Sequence, residues 1–263
     1  MKWLHGFEVL HVQDSPRPMK PVTFLLMNTN NNTYTVVYAS IMVVIVAFLL
    51  AFVSSALKPT QEQNVALDKK KQILAALNIR NLDNADSIEA RYNAVVQADR
   101  VVSADGTVVK EGAGKVNDGF CVANKDISAD CLPVYVCEVD GETKYVVPMT
   151  GRGLWGGLWG YMAVNADLQT IYGAYFSHES ETAGLGALIA EESFQQKFCG
   201  KHLFADTDST QVALTVVKNG KVEHGKENWQ VDGITGATLT SVGVANMVTQ
   251  GLQQYMGYFK SVK

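Results

Sequence analysis

The residues with the clearest chemical potential form a run of small and hydroxyl-bearing side chains near the carboxyl end. This run, Val231 to Ser241, reads VDGITGATLTS and leads into an apolar pattern of helical period. The first turn of a helix carries N–H groups without an intrahelical partner and a partial positive charge, so it suits a phosphate. Thr240 or Ser241 fits a plain helix N-cap equally well. Local physics therefore leaves a phosphate site and a simple cap both open.

A second run, Gly151 to Gly156, matches the pattern G-x-G-x-x-G, and Gly157 to Gly160 partly repeats it. A dinucleotide-binding loop of this pattern must follow a strand and open a helix. Strand-like residues follow here, so we expect a glycine-rich bend rather than a nicotinamide site. Trp155 and Trp159 beside the bend would either pack in the core or form one wall of a pocket for a planar ligand.

A third run, Ser177 to Ala187, is a polar and glycine-rich loop that follows a predicted strand. It lacks the Gly-Lys-Ser/Thr of a Walker phosphate loop. Glu179 and Glu181 are a weak candidate for an acid–base pair, and we predict that both are solvated loop charges. The glycines of the loop would let the backbone approach a flat ligand closely.

The histidines and cysteines give no metal-binding pattern. The five His lie at positions 5, 11, 178, 202 and 224, and none has a metal-ligand spacing with a Cys. Cys121, Cys131 and Cys137 share one β-rich stretch, Cys199 is distant, and no C-x-x-C occurs. A structural disulfide and simple buried thiols remain equally open. We assign no metal.

The charges are few and unevenly placed. Lys plus Arg is 22 and Asp plus Glu is 26, a net charge of −4, which gives no support to nucleic-acid binding. The segment from Pro21 to Leu57 has no charged residue. Its apolar part from Val36 would span about 33 Å as a helix, against about 30 Å of membrane hydrocarbon. We predict a single membrane anchor, in preference to a core helix or a cleaved signal peptide.

These features divide the chain into four predicted parts. Residues 1–34 form an amino-terminal tail whose first 26 residues resemble a misassigned start, 35–57 form the transmembrane helix, 58–98 a helical linker region and 99–263 the folded domain. Lys and Arg are nearly balanced on the two sides of the span, so the positive-inside rule leaves the orientation open. A start at Met27 would favour a cytoplasmic domain by the same rule.

The folded domain mixes strands and helices without a regular βαβ rhythm, which predicts an α+β fold with antiparallel hairpins. Asp-Gly pairs separate short β-rich runs at positions 105–106 and 140–141, as in hairpins. Three further elements are predicted: a hairpin from Leu158 to Phe176, a hairpin from Val212 to His224 through Asn219-Gly220, and an amphipathic helix from Ser241 to Tyr258.

The hydroxyl-rich run also resembles a known modification site. Asp-x-x-Ser/Thr-Gly-Ala-Thr is the motif at which flavin transferases attach FMN through a phosphoester to the final threonine. Asp232, Thr235, Gly236, Ala237 and Thr238 match every specified position. The resemblance implies that Thr238 is the covalent anchor of FMN and that Asp232 helps the transferase to recognise its target.

The similarity extends along the chain from the membrane span onward. The anchor helix, the run Ala66 to Lys69, the Gly153-Leu154-Trp155 turn and the loop Glu181 to Gly186 occur in the order typical of one family. In this order the chain resembles the C subunit of the bacterial Na+-translocating NADH:quinone reductase. That family usually has Pro at the position of Ala183, so the chain departs from the family pattern there.

The resemblance implies a mixed α/β domain with covalent FMN behind one transmembrane helix, and a role in electron transport. Electrons would pass from NADH through iron–sulfur centres to this FMN, then to a flavin of the B subunit and to quinone, coupled to Na+ export. The implied partners are subunits of the A, B, D, E and F types, a flavin transferase and membrane lipid. The domain would be periplasmic, on the inner membrane.

The resemblance also implies the cofactor contacts. Leu154, Trp155 and the segment Thr182, Gly184, Leu185 and Gly186 would flank the flavin ring. Three other interpretations remain open: the G subunit of an Rnf-type ferredoxin:NAD complex, a free-standing anchored flavoreductase, and an anchored binding module without flavin. No ionisable group lies in the membrane span, so ion passage would belong to the partners.

Overall fold

The computed structural model describes residues 32–82, 84–112, 118–206 and 211–263. The predicted tail therefore lies outside the described residues except for its last three positions. Internal contacts divide the chain into one unit that ends at Lys58 and a second unit from Pro59 to Lys263.

The described elements mix helices and strands as an α+β fold does. The helices are α1 (Asn32–Ala76), α2 (Ala85–Val95), α3 (Glu192–Gln195), α4 (Thr238–Gln254) and α5 (Met256–Val262). The strands are β1 (Val96–Val102), β2 (Val108–Lys110), β3 (Leu132–Val139), β4 (Glu142–Arg152), β5 (Gly157–Asn165), β6 (Ile171–His178), β7 (Thr215–Val217) and β8 (Gln230–Asp232).

Helix α1 contains a segment long and apolar enough to cross a membrane, the one such segment among the described residues. The 18 consecutive residues with the highest mean hydropathy in this helix are all unburied in the structure. A core helix of a soluble domain would bury that surface, because exposing large apolar side chains to water is costly. The exposure favours the predicted anchor over a core helix.

Six strands form one antiparallel sheet in the order β2-β1-β3-β4-β5-β6. Apart from the step from β1 to β3, neighbours in the sheet are consecutive in the chain, so hairpins make most of the sheet. Asp140 and Gly141 both have positive φ in the β3–β4 turn, which is the backbone that an Asp-Gly hairpin favours. The predicted α+β class and its antiparallel hairpins are confirmed here.

Both faces of the sheet are covered, so its strands alternate between two apolar cores. On one face Tyr145 and Val147 of β4 join a cluster with Val244 and Val248 of α4. On the other face Val146 joins a cluster with side chains from the end of α1 and from α2. This packing fixes α4 across β4, and the start of α4 is therefore held at one end of the β4–β5 hairpin.

One predicted hairpin is wrong. The sequence predicts antiparallel strands on either side of Asn219-Gly220, but residues 221–224 form no strand. Strand β7 pairs instead with β8, in parallel. Parallel neighbours need a longer connection than a two-residue turn, so a local Asn-Gly signal cannot show this pairing. As a result, β8 leads directly into the hydroxyl-rich run before α4.

The last helix also begins earlier than predicted, at Thr238 rather than Ser241, and breaks at Tyr255 before α5. Close packing holds its middle against the sheet, because a Cβ added at Gly151 would lie 2.6 Å from the Cβ of Met247. The earlier start places Thr238 in the first turn of the helix.

Candidate functional site

Thr238 is the first residue of α4, and its side chain is exposed. The residue before it, Ala237, is the N-cap and supplies no side-chain hydrogen bond to the helix end. A helix start of this kind keeps free N–H groups and a partial positive charge available to an anion. The interpretation of Thr240 or Ser241 as a plain N-cap is therefore wrong.

Ser241 has a different task, which is to close the turn before the helix. Its hydroxyl accepts a hydrogen bond from the backbone N–H of Ile234 at 3.0 Å and donates to the carbonyl of Ala237 at 2.9 Å. Gly236 has a φ of +77°, a conformation that favours glycine, and a Cβ there would lie 3.0 Å from Leu185. The loop after β6 thus lies directly against the turn that presents Thr238.

Asp232 is a partly buried residue at the end of β8. One of its carboxylate oxygens accepts a hydrogen bond from the backbone N–H of Gly220 at 2.8 Å. Its backbone carbonyl accepts from the ammonium of Lys197 at 3.3 Å. The residue therefore ties the turn after β7 to the start of the hydroxyl-rich run.

Glu181 connects the β4–β5 turn to the first turn of α4, and its side chain is buried with 7% of its surface exposed. One carboxylate oxygen accepts from the backbone N–H of Trp155 at 2.9 Å, and the other accepts from the hydroxyl of Thr240 at 2.6 Å. The prediction that Glu181 is a solvated loop charge is wrong. Glu179 is exposed, as predicted, and accepts from the N–H of Gly157 at 3.2 Å.

The surroundings of Glu181 favour its ionised form. Burial by itself would raise the pKa of this carboxyl, but the hydrogen bond from Thr240 and those from the N–H groups of Trp155, Leu154 and Gly156 outweigh burial, so the pKa lies below its ordinary value. The connection between the turn and the helix is therefore made by a carboxylate at neutral pH.

Large apolar side chains stand exposed on the three segments that meet at this point. Trp155 is 66% exposed and Leu239 is 61% exposed. Exposed apolar residues also come from the same turn, the loop after β6 and the first two turns of α4: Leu154, Leu185, Leu188 and Val242. On α4, Thr238 and Val242 are four residues apart and so lie on one face. Apolar side chains thus accompany the exposed hydroxyl.

A cleft of about 260 Å³ opens beside Thr235. Its walls include Leu188, Phe194 and Ile234, and its polar lining includes Lys197, whose ammonium also lies 5.5 Å from the ring centre of Phe194. The cleft therefore combines apolar walls with one cation.

The predicted site residues lie in two places in the structure, around Glu181 and along the cleft beside Thr235. The hydroxyl-rich run, the turn with Leu154 and Trp155, and the loop with Thr182 and Leu185 meet around Glu181. The cleft, in contrast, is lined by Thr235 but not by Leu154 or Trp155. Thr182 and Gly184 are exposed, and Gly186 is buried against Glu181 and Thr240.

Sequence reasoning missed Lys197, and it named Glu181 and Thr240 without their mutual hydrogen bond. A Cβ at Gly153 would lie 2.3 Å from Glu181 Oε1, and a Cβ at Gly186 would lie 2.5 Å from its other carboxylate oxygen. Glycines on both sides of a buried carboxylate were the available signal, but only the fold shows that they face the same group.

The disulfide that the sequence left open is not formed in the structure, which describes all four cysteines. All four cysteines are free thiols, with Cys137 buried and Cys121 exposed. Within the described residues no three His, Cys, Asp or Glu side chains are grouped so that they could hold a metal ion.

Comparison with known proteins identifies the family of the chain. Residues 153–253 match the model of the FMN-binding domain family. The C subunit of the Na(+)-translocating NADH-quinone reductase of Haemophilus ducreyi is 32% identical over 257 residues, covering 89% of this chain and 96% of that protein. The chain belongs to the family of this C subunit. The corresponding protein of Pseudomonas aeruginosa is 30% identical, covering 85% of this chain and 92% of that protein.

A solved structure supports the same assignment. The crystal structure of the reductase C subunit from Parabacteroides distasonis is 38% identical in sequence and superposes with a TM-score of 0.69, covering 77% of this chain and 96% of that one. Sequence and fold thus agree on the family, and the matched FMN-binding domain begins at the turn with Trp155 and ends within α4.

The residues of the site fit FMN. The exposed Thr238 hydroxyl lies at a helix start that favours a phosphate, and a Cβ at Gly184 in the adjoining loop would have open space around it. Leu154, Trp155 and Leu239 offer exposed apolar surface of the kind that covers a flat aromatic ring.

Proposed function

We propose that this chain is the electron-carrier subunit of a Na+-translocating NADH:quinone reductase, and that it holds FMN through a phosphoester to Thr238. One observation carries the proposal. The final threonine of the flavin-attachment motif is exposed at the first residue of α4, where both a modifying enzyme and a phosphate could reach it.

The attachment needs a hydroxyl and an activated flavin phosphate, which a flavin transferase would supply. A bond forms between Thr238 Oγ1 and phosphorus, the bond from phosphorus to the leaving group breaks, and the hydroxyl proton is released. Gly236 and Ala237 leave room beside the hydroxyl for another enzyme. Asp232 would be the recognition element for the transferase.

The attached phosphodiester keeps one negative charge. The start of α4 would stabilise that charge by about 0.3–1 kcal/mol, as helix N-termini do for anions. Lys197, in the cleft beside Thr235, adds a second source of positive potential. The chain thereby fixes the phosphate end of the cofactor.

The apolar side chains of the site would hold the ring end of the cofactor. Leu154, Trp155 and the segment from Thr182 to Gly186 are the proposed neighbours of the flavin ring, where they exclude water and restrict its orientation. When bound, FMN would supply the reversible transfer of one or two electrons. The role of this chain is to place that chemistry between an electron donor and an electron acceptor.

The proposed partners are the other subunits of the reductase, of the A, B, D, E and F types. An iron–sulfur centre would be the donor and the flavin of the B subunit the acceptor, with quinone as the final oxidant. Purification of the tagged chain from its own membranes tests this arrangement. Recovery of the other subunits in equal amounts supports the complex, and recovery of the chain alone supports a free-standing flavoreductase.

The proposal places the folded domain in the periplasm, anchored by α1. The exposed thiol of Cys121 offers a test in a variant that keeps only Cys121 and the buried Cys137. A maleimide that does not cross membranes should label intact spheroplasts of this variant. Labelling only after lysis would place the domain in the cytoplasm.

In-gel fluorescence tests the attachment itself. The chain is produced with a flavin transferase, and a denaturing gel removes any flavin that is not covalently bound. We expect a fluorescent wild-type band and a dark band for Thr238→Ala. Thr150→Ala is the matched control, because Thr150 is also exposed but lies outside the motif, on β4. A dark wild-type band, or a fluorescent Thr238→Ala band, would refute the proposal.

A further inference from the structure

A buried carboxylate joins the parts of the site that would otherwise be independent. Glu181, in the loop after β6, lies 26 residues from Trp155 of the β4–β5 turn and 59 residues from Thr240 at the start of α4, and it bonds to both. The other hydrogen bonds at this point support the turn from the same loop, since Ser180 donates to the carbonyl of Trp155 at 3.1 Å.

The space around Glu181 is fitted to this one side chain. A Cβ at Gly153 would lie 2.3 Å from Oε1, and a Cβ at Gly186 would lie 2.5 Å from Oε2 and 2.6 Å from Thr240 Oγ1. Any longer side chain at either glycine would displace the carboxylate. The two glycines thus allow Glu181 to reach the turn and the helix at the same time.

We propose that Glu181 is a positioning residue for the flavin site: it fixes the turn with Leu154 and Trp155 against the helix start that presents Thr238. The inference deepens the proposed function and rests on it for its link to FMN. Both bonds are made within the chain itself, so we expect the apolar wall to form without a contact from the cofactor.

The mechanism depends on the reach of the side chain more than on its charge. In Glu181→Gln the amide oxygen can accept from the N–H of Trp155, and the amide nitrogen can donate to the hydroxyl of Thr240. Glu181→Asp keeps the charge but is one methylene shorter and cannot reach both partners. Glu179→Asp is the matched control, because Glu179 lies in the same loop but is exposed and bonds to Gly157.

Amide hydrogen exchange of flavin-free, full-length protein measures the connection directly. In Glu181→Asp the Trp155 N–H loses a bond to a charged group, so we expect it to exchange at least about tenfold faster than in the wild type. We expect Glu179→Asp to stay within about threefold of the wild type, since Glu179 bonds to Gly157 and not to Trp155, and Glu181→Gln to fall between these two, since Gln keeps both bonds without the charge. Equal exchange in all four proteins would overturn the proposal.

The flavin-loaded protein gives the second measurement. A flavin ring held by a fixed wall has high fluorescence anisotropy, because it cannot rotate independently of the protein. We expect Glu181→Asp to lower the anisotropy, and Glu181→Gln to restore it. Unchanged anisotropy in Glu181→Asp would overturn the role at the flavin.

Loss of the fold in a variant and absence of covalent flavin in the wild type each require a further measurement. If Glu181→Asp loses its near-UV circular dichroism and so its fold, Gly153→Ala replaces it, because its added Cβ displaces the same carboxylate. If the wild type carries no covalent flavin, the proposed function fails, while the exchange experiment still decides whether Glu181 fixes the turn.

Discussion

Replacing Thr240 by Val should destabilise the protein by an amount that depends on pH. Val has nearly the same shape as Thr but has no hydroxyl, so Glu181 Oε2 loses a donor at 2.6 Å while the packing of α4 is kept. Hydrogen bonds to charged groups are worth about 1.5–3 kcal/mol, so we expect a loss of about 2 kcal/mol in the free energy of unfolding at pH 7. For a domain of this size that is a fall of about 4–8 °C in Tm.

The pH dependence follows from the sign of the pKa shift. The pKa of Glu181 is depressed in the folded protein, so its stabilisation is fully present above the unfolded value of about 4.3 and is lost as the pH falls through the folded pKa. Thr240 is one cause of that depression. The difference between the wild type and Thr240→Val should therefore be largest near neutral pH and should shrink below about pH 4.

The assay is urea unfolding of the flavin-free, full-length chain in detergent, followed by tryptophan fluorescence from about pH 3.5 to about pH 7.5, a range that spans the carboxyl titration. Thr249→Val is the matched control on the same helix, because the Thr249 hydroxyl donates at 3.0 Å to a neutral acceptor, the carbonyl of Leu214. Thr249→Val should lower the free energy of unfolding by about 1 kcal/mol, and this decrease should not depend on pH. Equal, pH-independent losses in the two variants would refute the reasoning.

Three further predictions concern other parts of the domain. Gly151→Ala should lower the free energy of unfolding by about 1–3 kcal/mol, measured by calorimetry, because its added Cβ would lie 2.6 Å from the Cβ of Met247. Gly157→Ala should lower it by less than half as much, because the nearest atom to its added Cβ would be 3.6 Å away. Tyr255→Phe should lower the free energy of unfolding in urea by about 1 kcal/mol, because the buried hydroxyl no longer donates to a β4 carbonyl. An unchanged free energy of unfolding would contradict this prediction. Lys69, whose pKa burial lowers to about 8, should titrate near that value by NMR, and a midpoint at the ordinary lysine value of about 10.4 would contradict the burial argument.

The hairpins of the large sheet could be predicted from sequence because their signals are local. Asp140-Gly141 sits between two runs of apolar and β-branched residues, and the chain turns there by two residues. The pairing of β7 with β8 could not be predicted, because its partners lie 15 residues apart and run in parallel. The strand predicted at residues 221–224 does not form.

The site shows the same contrast. The attachment motif places Thr238 at a helix start by local pattern, although the predicted start is three residues late. The burial of Glu181 depends on Trp155 and Thr240, which lie 26 and 59 residues away. A glutamate in a polar loop is usually solvated, and only long-range packing reveals that this one is not.

Peptide mass mapping tests the central claim most directly. The chain is produced with a flavin transferase, digested, and the peptide that contains Thr235 and Thr238 is sequenced by fragmentation. The account predicts an added mass of FMN less one water, located on Thr238 and lost in Thr238→Ala. An unmodified Thr238, or the same added mass on Thr235, would contradict it.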